Sequence, residues 1–120
     1  MYGICNLSIV PLRAAPSDSS EMVSQILFGE FFTILEQQKY WSKIRLASDD
    51  FEGFIDHKQF EKISEDLYQK LLVDAPFYSG EFVDFITDAT NNLLTIPIGS
   101  RLPFFADHHF FINSKKYNYQ

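Results

Sequence analysis

The stretch from Gly29 to Ile63 reads GEFFTILEQQKYWSKIRLASDDFEGFIDHKQFEKI. Phe31-Phe32-Thr33-Ile34-Leu35 is aromatic and β-branched and follows the turn pair Gly29-Glu30, which predicts a strand. Tyr40-Trp41-Ser42-Lys43-Ile44-Arg45-Leu46 alternates, with Trp41 and Lys43 on one face and Ser42, Ile44 and Leu46 on the other. Asp49-Asp50 marks the next turn, and Phe51-Glu52-Gly53-Phe54-Ile55 a further strand. Asp56 is placed to cap one helical turn over His57-Lys58-Gln59, after which Phe60-Glu61-Lys62-Ile63 returns to strand.

Upstream, Val10-Pro11-Leu12-Arg13 leads into the polar, turn-rich segment Ala14 to Ser20. Glu21 to Phe28 has helix-compatible composition, but it ends at Gly29 and feeds a strand, so it reads as an extended arm. Downstream, Ser64 caps a helix in which Ile63 and Tyr68 are spaced as a hydrophobic staple, and Asp74-Ala75-Pro76 ends it. The division is therefore a complete first unit at 1–63, a linking helix at 64–76 and a second unit at 77–120.

The second unit echoes the first. At an offset of 70, Gly29 meets Gly99, Phe32 meets Leu102, Ile34 meets Phe104 and Trp41 meets Phe111. The counterpart of Phe51 to Ile63 would lie past Gln120, so the second unit is expected to be truncated, with an open sheet edge. Dimerisation through that edge is the corresponding expectation. The chain carries 13 Phe in 120 residues, and nine of its aromatics lie in 1–63 against eleven in 64–120. Short chains bury a small fraction of their surface, so the surplus rings are expected to face solvent or an absent partner.

The fold class is all-β: five short strands, a long arm after the first, tight hairpins and a helical turn before the last strand describe an SH3-like barrel, followed by the linking helix and an incomplete SH3-like unit. Several segments together resemble the N-terminal bacterial SH3 region of NlpC/P60 cell-wall cysteine peptidases. They are Val10-Pro11-Leu12-Arg13, Glu21-x-x-Ser24-Gln25-x-Leu27-Phe28-Gly29-Glu30, Trp41-Ser42-Lys43-Ile44 and Asp50-Phe51-Glu52-Gly53-Phe54-Ile55. The resemblance covers most of residues 2–63 and implies a separate C-terminal peptidase domain, with a D-C-S-G nucleophile motif that this chain lacks. The chain itself then reads as non-catalytic, and the parent protein as a cysteine endopeptidase acting on murein peptides.

In that family an acidic residue of the arm and a tyrosine of the D-x-Y-x-G-W hairpin help to hold the free amine of the murein peptide. The resemblance places Glu21 in the first role. Phe51 stands where the tyrosine is usual, and without a hydroxyl it cannot make that hydrogen bond; Phe54 stands where tryptophan is usual. Read alone, Glu21 is a solvated loop carboxylate or the acceptor of a loop-ordering hydrogen bond. Trp41 is weighed as a ligand-contacting ring against the alternative of packing in or near the core.

Other chemistry is poorly supported. Cys5 is the only cysteine and no histidine lies near it in sequence, which leaves no nucleophile–base pair, no intrachain disulfide and no multi-cysteine zinc site. His108 and His109 are expected in a hairpin turn with Ala106-Asp107, and adjacent strand positions point apart, against a shared metal. No cofactor is implied. The net charge of -6 divides evenly, -3 in 1–63 and -3 in 64–120, and argues against nucleic acid. No apolar run reaches membrane-span length and the start lacks a secretory signal, so a cytoplasmic location away from membranes is expected. Two functional readings follow: an accessory module that positions or gates murein peptide for a peptidase, and a free-standing SH3-like module that binds protein or peptide.

Overall fold

The computed structural model describes residues 1–74, 78, 83–97, 99–105 and 109–119. Seven strands form the first sheet: β1 (Tyr2–Ile4), β2 (Ile9–Arg13), β3 (Met22–Leu27), β4 (Phe31–Gln37), β5 (Trp41–Leu46), β6 (Glu52–Asp56) and β7 (Glu61–Ile63). Their order is β3-β2-β6-β5-β4-β1-β7, and every pairing is antiparallel. Val10 and Leu12 on β2, Ile26 on β3, Phe32 and Ile34 on β4, Ile44 and Leu46 on β5 and Ile55 on β6 meet in one buried cluster with Cys5. Strands separated in the order can share a core only if the sheet wraps around it, as in a small barrel.

Local chemistry accounts for the joints. The arm expected to be extended is β3, because its apolar residues pair with β2 rather than coil on themselves. Asp56 accepts a hydrogen bond from Lys58 N at 2.9 Å and caps a 3-10 turn at His57–Gln59. Ser64 accepts from Leu67 N at 3.1 Å and starts α1 (Glu65–Val73), where Asp66 and Lys70 pair at 3.2 Å. The Asp49-Asp50 turn has Asp50 in the left-handed region at φ 61°.

The second sheet contains β8 (Val83–Thr87), β9 (Leu93–Pro97), β10 (His109–Ile112) and β11 (Lys115–Tyr119) in the order β10-β11-β8-β9. Among the described residues it is an open sheet, with β9 and β10 at its edges. The β8–β9 turn is held by Asp88, whose carboxylate accepts from Thr90 N and Asn92 N, both at 2.9 Å. Those bonds, that of the Asn92 amide first, hold its carboxyl below the usual aspartate value.

A second core lies between the sheets. Ile4, Phe28, Phe31 and Ile63 from the first unit meet Leu71 of α1 and Ile86, Ile96, Leu102, Phe110, Ile112 and Tyr117 of the second. Phe28 touches Phe110 edge-on at 5.8 Å and Tyr117 at 5.6 Å, and Phe110 stacks on Tyr117 at 5.2 Å. Phe31 and Phe32 are neighbours on β4 and point to opposite faces, so one strand supplies both cores.

Several expectations are corrected. The surplus rings do not all await an absent partner: Phe110 and Tyr117 are covered by the first unit, while Phe104 and Phe111 stay exposed. The echo holds at the glycines, with φ of 84° at Gly29 and 88° at Gly99, and at the buried pair Phe32 and Leu102. It fails at the pair Ile34 and Phe104: Phe104 is in a turn at φ 51°, and among the described residues no strand matches β4, whereas Trp41 and Phe111 both lie on strands. Trp41 belongs to neither core; it is half-buried on the outer face, opposite Asp56. His109 begins β10 rather than closing a turn, and the rest of that expected turn, Ala106 to His108, lies outside the described residues, as do 75–77 around the expected helix end. No helix among the described residues is long and apolar enough to cross a membrane.

Candidate functional site

The arm and the β5–β6 hairpin come together through β2. Arg13 on β2 pairs with Met22 on β3 and with Phe54 on β6. Continuing this antiparallel register carries the loop 14–20 toward Glu52, so this loop and the β5–β6 turn lie at the same end of β6. Arg13 Nη1 donates to Ser20 O at 3.1 Å, Ala15 N donates to Ser20 Oγ at 2.9 Å, and Ala14 N donates to Glu21 O at 2.9 Å. These bonds order the loop immediately before Glu21. The Glu21 side chain is exposed and has no ion pair among the described residues.

Phe51 sits in the β5–β6 turn, its N–H donating to Asp49 Oδ1 at 3.1 Å and its carbonyl accepting from Leu46 N at 2.9 Å. Its ring is exposed. Next to it, Arg45 donates from Nε and Nη2 to Glu52 Oε2 at 3.1 and 3.0 Å, and Lys43 Nζ lies 3.9 Å from Glu52 Oε1. The two basic groups are therefore largely satisfied, and Glu21 contributes unpaired negative charge. Trp41 is four residues from Arg45 along β5, about 13 Å at the rise of an antiparallel strand. The fold thus groups Glu21 and Phe51 at one end and leaves Trp41 at the other.

Groups with nucleophilic potential are placed differently. Cys5 is fully buried and its thiol donates to Leu7 O at 3.2 Å; burial above all pushes its pKa up from 9.0 to about 12, opposing the thiolate. Ser42 Oγ lies 2.7 Å from His57 Nε2, but Ser42 is fully buried, so the pair joins β5 to the 3-10 turn and offers no accessible hydroxyl. Among the described residues no group of three or more His, Cys, Asp and Glu could hold a metal ion.

Glu30, read from sequence only as part of a turn, and Arg101 border a cavity at the junction of the two units. No local pattern marks them, because their approach depends on how the two sheets dock.

Residues 12–60 match the family model described as the bacterial dipeptidyl-peptidase SH3 domain. No curated protein is significantly similar in sequence to the chain. Among solved structures, an NlpC/P60 family protein from Bacillus cereus ATCC 10987 is similar with a TM-score of 0.77 at 12% identity. The match covers 100% of this chain and 54% of that one, so the chain spans about half of its length. At that identity the likeness shows the shared fold. It extends through both units, not the matched SH3 residues alone.

Proposed function

From the match of residues 12–60 to the bacterial dipeptidyl-peptidase SH3 model, we propose that the chain is the non-catalytic accessory region of an NlpC/P60-type murein-peptide endopeptidase. The observation that carries this reading is the SH3 match itself, which contains Glu21, Trp41 and Phe51. The likeness of both units to part of an NlpC/P60 family protein supports it. The catalytic cysteine would come from a peptidase domain elsewhere in the parent protein, and cytoplasmic turnover of wall peptides is the setting proposed.

In this reading the region positions or gates the substrate. The exposed carboxylate of Glu21 receives the free ammonium of a murein peptide, a charge-assisted contact of the stronger kind. Phe51 offers an apolar face beside it and no hydroxyl, so the amine depends on Glu21 more than it would next to a tyrosine. Trp41, at the far end of β5, touches only a longer peptide.

The test is steady-state hydrolysis of a murein tripeptide by the intact parent enzyme. Glu21→Ala is expected to raise KM about tenfold or more, the loss of one charged hydrogen bond, and Phe51→Tyr to lower it. Unchanged kinetics in Glu21→Ala would sink the positioning role.

A further inference from the structure

Between the two sheets and the end of α1 lies a cavity of about 300 Å³, lined in part by Glu30, Phe31, Ala47, Ser48, Leu72 and Arg101. A carboxylate and a guanidinium share this cavity, yet no ion pair joins them. Each is anchored elsewhere. Arg101 Nη2 donates to Leu71 O at 2.8 Å and lies 3.6 Å from Asp74 Oδ2, with the guanidinium 4.8 Å above the Phe31 ring. Glu30 Oε1 accepts from Leu27 N at 2.7 Å, and among the described residues Oε2 has only the Ser48 hydroxyl, at 3.4 Å.

These anchors hold the opposite charges at fixed places and leave each with capacity. Glu30 Oε2 can accept a much shorter hydrogen bond than the one it has. Among the described residues no hydrogen bond engages Nη1 of Arg101. Opposite charges held apart favour a molecule that carries both complements. Phe31, Ala47 and Leu72 add apolar surface to the lining. A volume of this size is at the lower end of small-molecule sites.

We infer that the junction cavity binds a short zwitterionic peptide of dipeptide size, its carboxylate toward Arg101 and its ammonium toward Glu30 Oε2. The aliphatic side chains rest on Phe31, Ala47 and Leu72. A single amino acid would leave much of the space unfilled. This site uses none of Glu21, Trp41 or Phe51 and stands independently of the peptidase reading.

The test is an NMR titration of the full chain with L-alanyl-L-alanine, alongside its N-acetylated and C-amidated forms. The expected result is saturable shifts at the amides of Phe31, Ala47, Ser48 and Arg101, with either blocked form at least about tenfold weaker. Glu30→Gln is expected to weaken the free dipeptide about tenfold and leave the N-acetyl form unchanged. Ala47→Phe, which fills the cavity without touching either charge, is expected to abolish binding while circular dichroism and thermal unfolding show an intact fold. Binding that fails to saturate at high millimolar concentration overturns the inference. Equal affinity for the blocked forms, shifts centred outside the cavity, or undiminished binding in Ala47→Phe do the same. Glu21→Ala is expected to leave this titration unchanged, so failure here and failure of the peptidase reading are separable.

Discussion

Gly29 and Arg101 are in backbone contact: a Cβ built on Gly29 would stand 1.9 Å from the carbonyl oxygen of Arg101. Arg101 N also donates to Phe28 O at 2.8 Å. On the other side of this junction Gly99 lies beside Leu27, with an ordinary 3.5 Å to that side chain from a built Cβ. The two glycine turns therefore abut one another, and the first has no room for a side chain.

Gly29→Ala is expected to destabilise the chain by about 2–4 kcal/mol, from the backbone clash together with strain at positive φ. Gly99→Ala, which carries the φ strain without the clash, is expected to cost less. Urea unfolding of both variants checks the order, and equal losses would count against the junction contact.

Phe28 is the keystone of the core between the units. Phe28→Ala is expected to cost about 3–5 kcal/mol, since it removes a fully buried ring packed on Phe110 and Tyr117. Because Phe28 touches both units, near- and far-ultraviolet dichroism of the unaltered chain is expected to unfold in one coincident transition. Two separate transitions in the unaltered chain would contradict this coupling.

Cys5 gives a signed pH dependence. Its thiol has an ordinary pKa of 9.0, raised by burial to about 12 in the folded chain. Below pH 9 both states are protonated and stability is independent of this group. Between pH 9 and pH 12 the unfolded chain releases the proton first, so stability falls by up to about 1.4 kcal/mol per pH unit. Tyr117, raised chiefly by burial, adds loss in the same direction above pH 10. Chemical denaturation of the chain and of Cys5→Ala at stepped pH isolates the cysteine part. The native thiol is also expected to resist alkylation at pH 8 until the chain unfolds.

The hydrogen bond between Ser42 and His57 supports the 3-10 turn from inside the barrel. Ser42→Ala is expected to cost about 1–2 kcal/mol, the usual loss when a buried polar group loses its partner. In the double variant Ser42→Ala/His57→Phe the two losses are expected to be less than additive. Full additivity in thermal or urea unfolding would mean that the pair is not coupled.

Much of the first unit is legible along the chain. The alternation in Tyr40 to Leu46 assigns Ser42, Ile44 and Leu46 to the interior, and all three are buried. Asp56 and Ser64 signal their helical turns through side-chain oxygens that reach amides two and three residues on. The arm was legible because Gly29 terminates it. Trp41 was less so: the same alternation turns it outward, against the tendency of tryptophan to be buried, and in the fold the pleat prevails.

Glu21 and Phe51 could each be singled out from sequence, but not their shared end of β6, which follows from β2 pairing with both β3 and β6. The same division applies to the whole molecule. The strands from β2 to β7, the two caps and the turn at Gly29 can be read along the chain, because they depend on forces acting over a few residues: pleat alternation, side-chain capping and left-handed backbone. Where the surplus rings go, and that Glu30 and Arg101 border one cavity, follows from the packing of the two units. Phe28 and Phe110 are 82 residues apart, and Glu30 and Arg101 71 apart, in the chain. Such contacts arise from the docking of two sheets, a long-range packing event that leaves no period in the sequence.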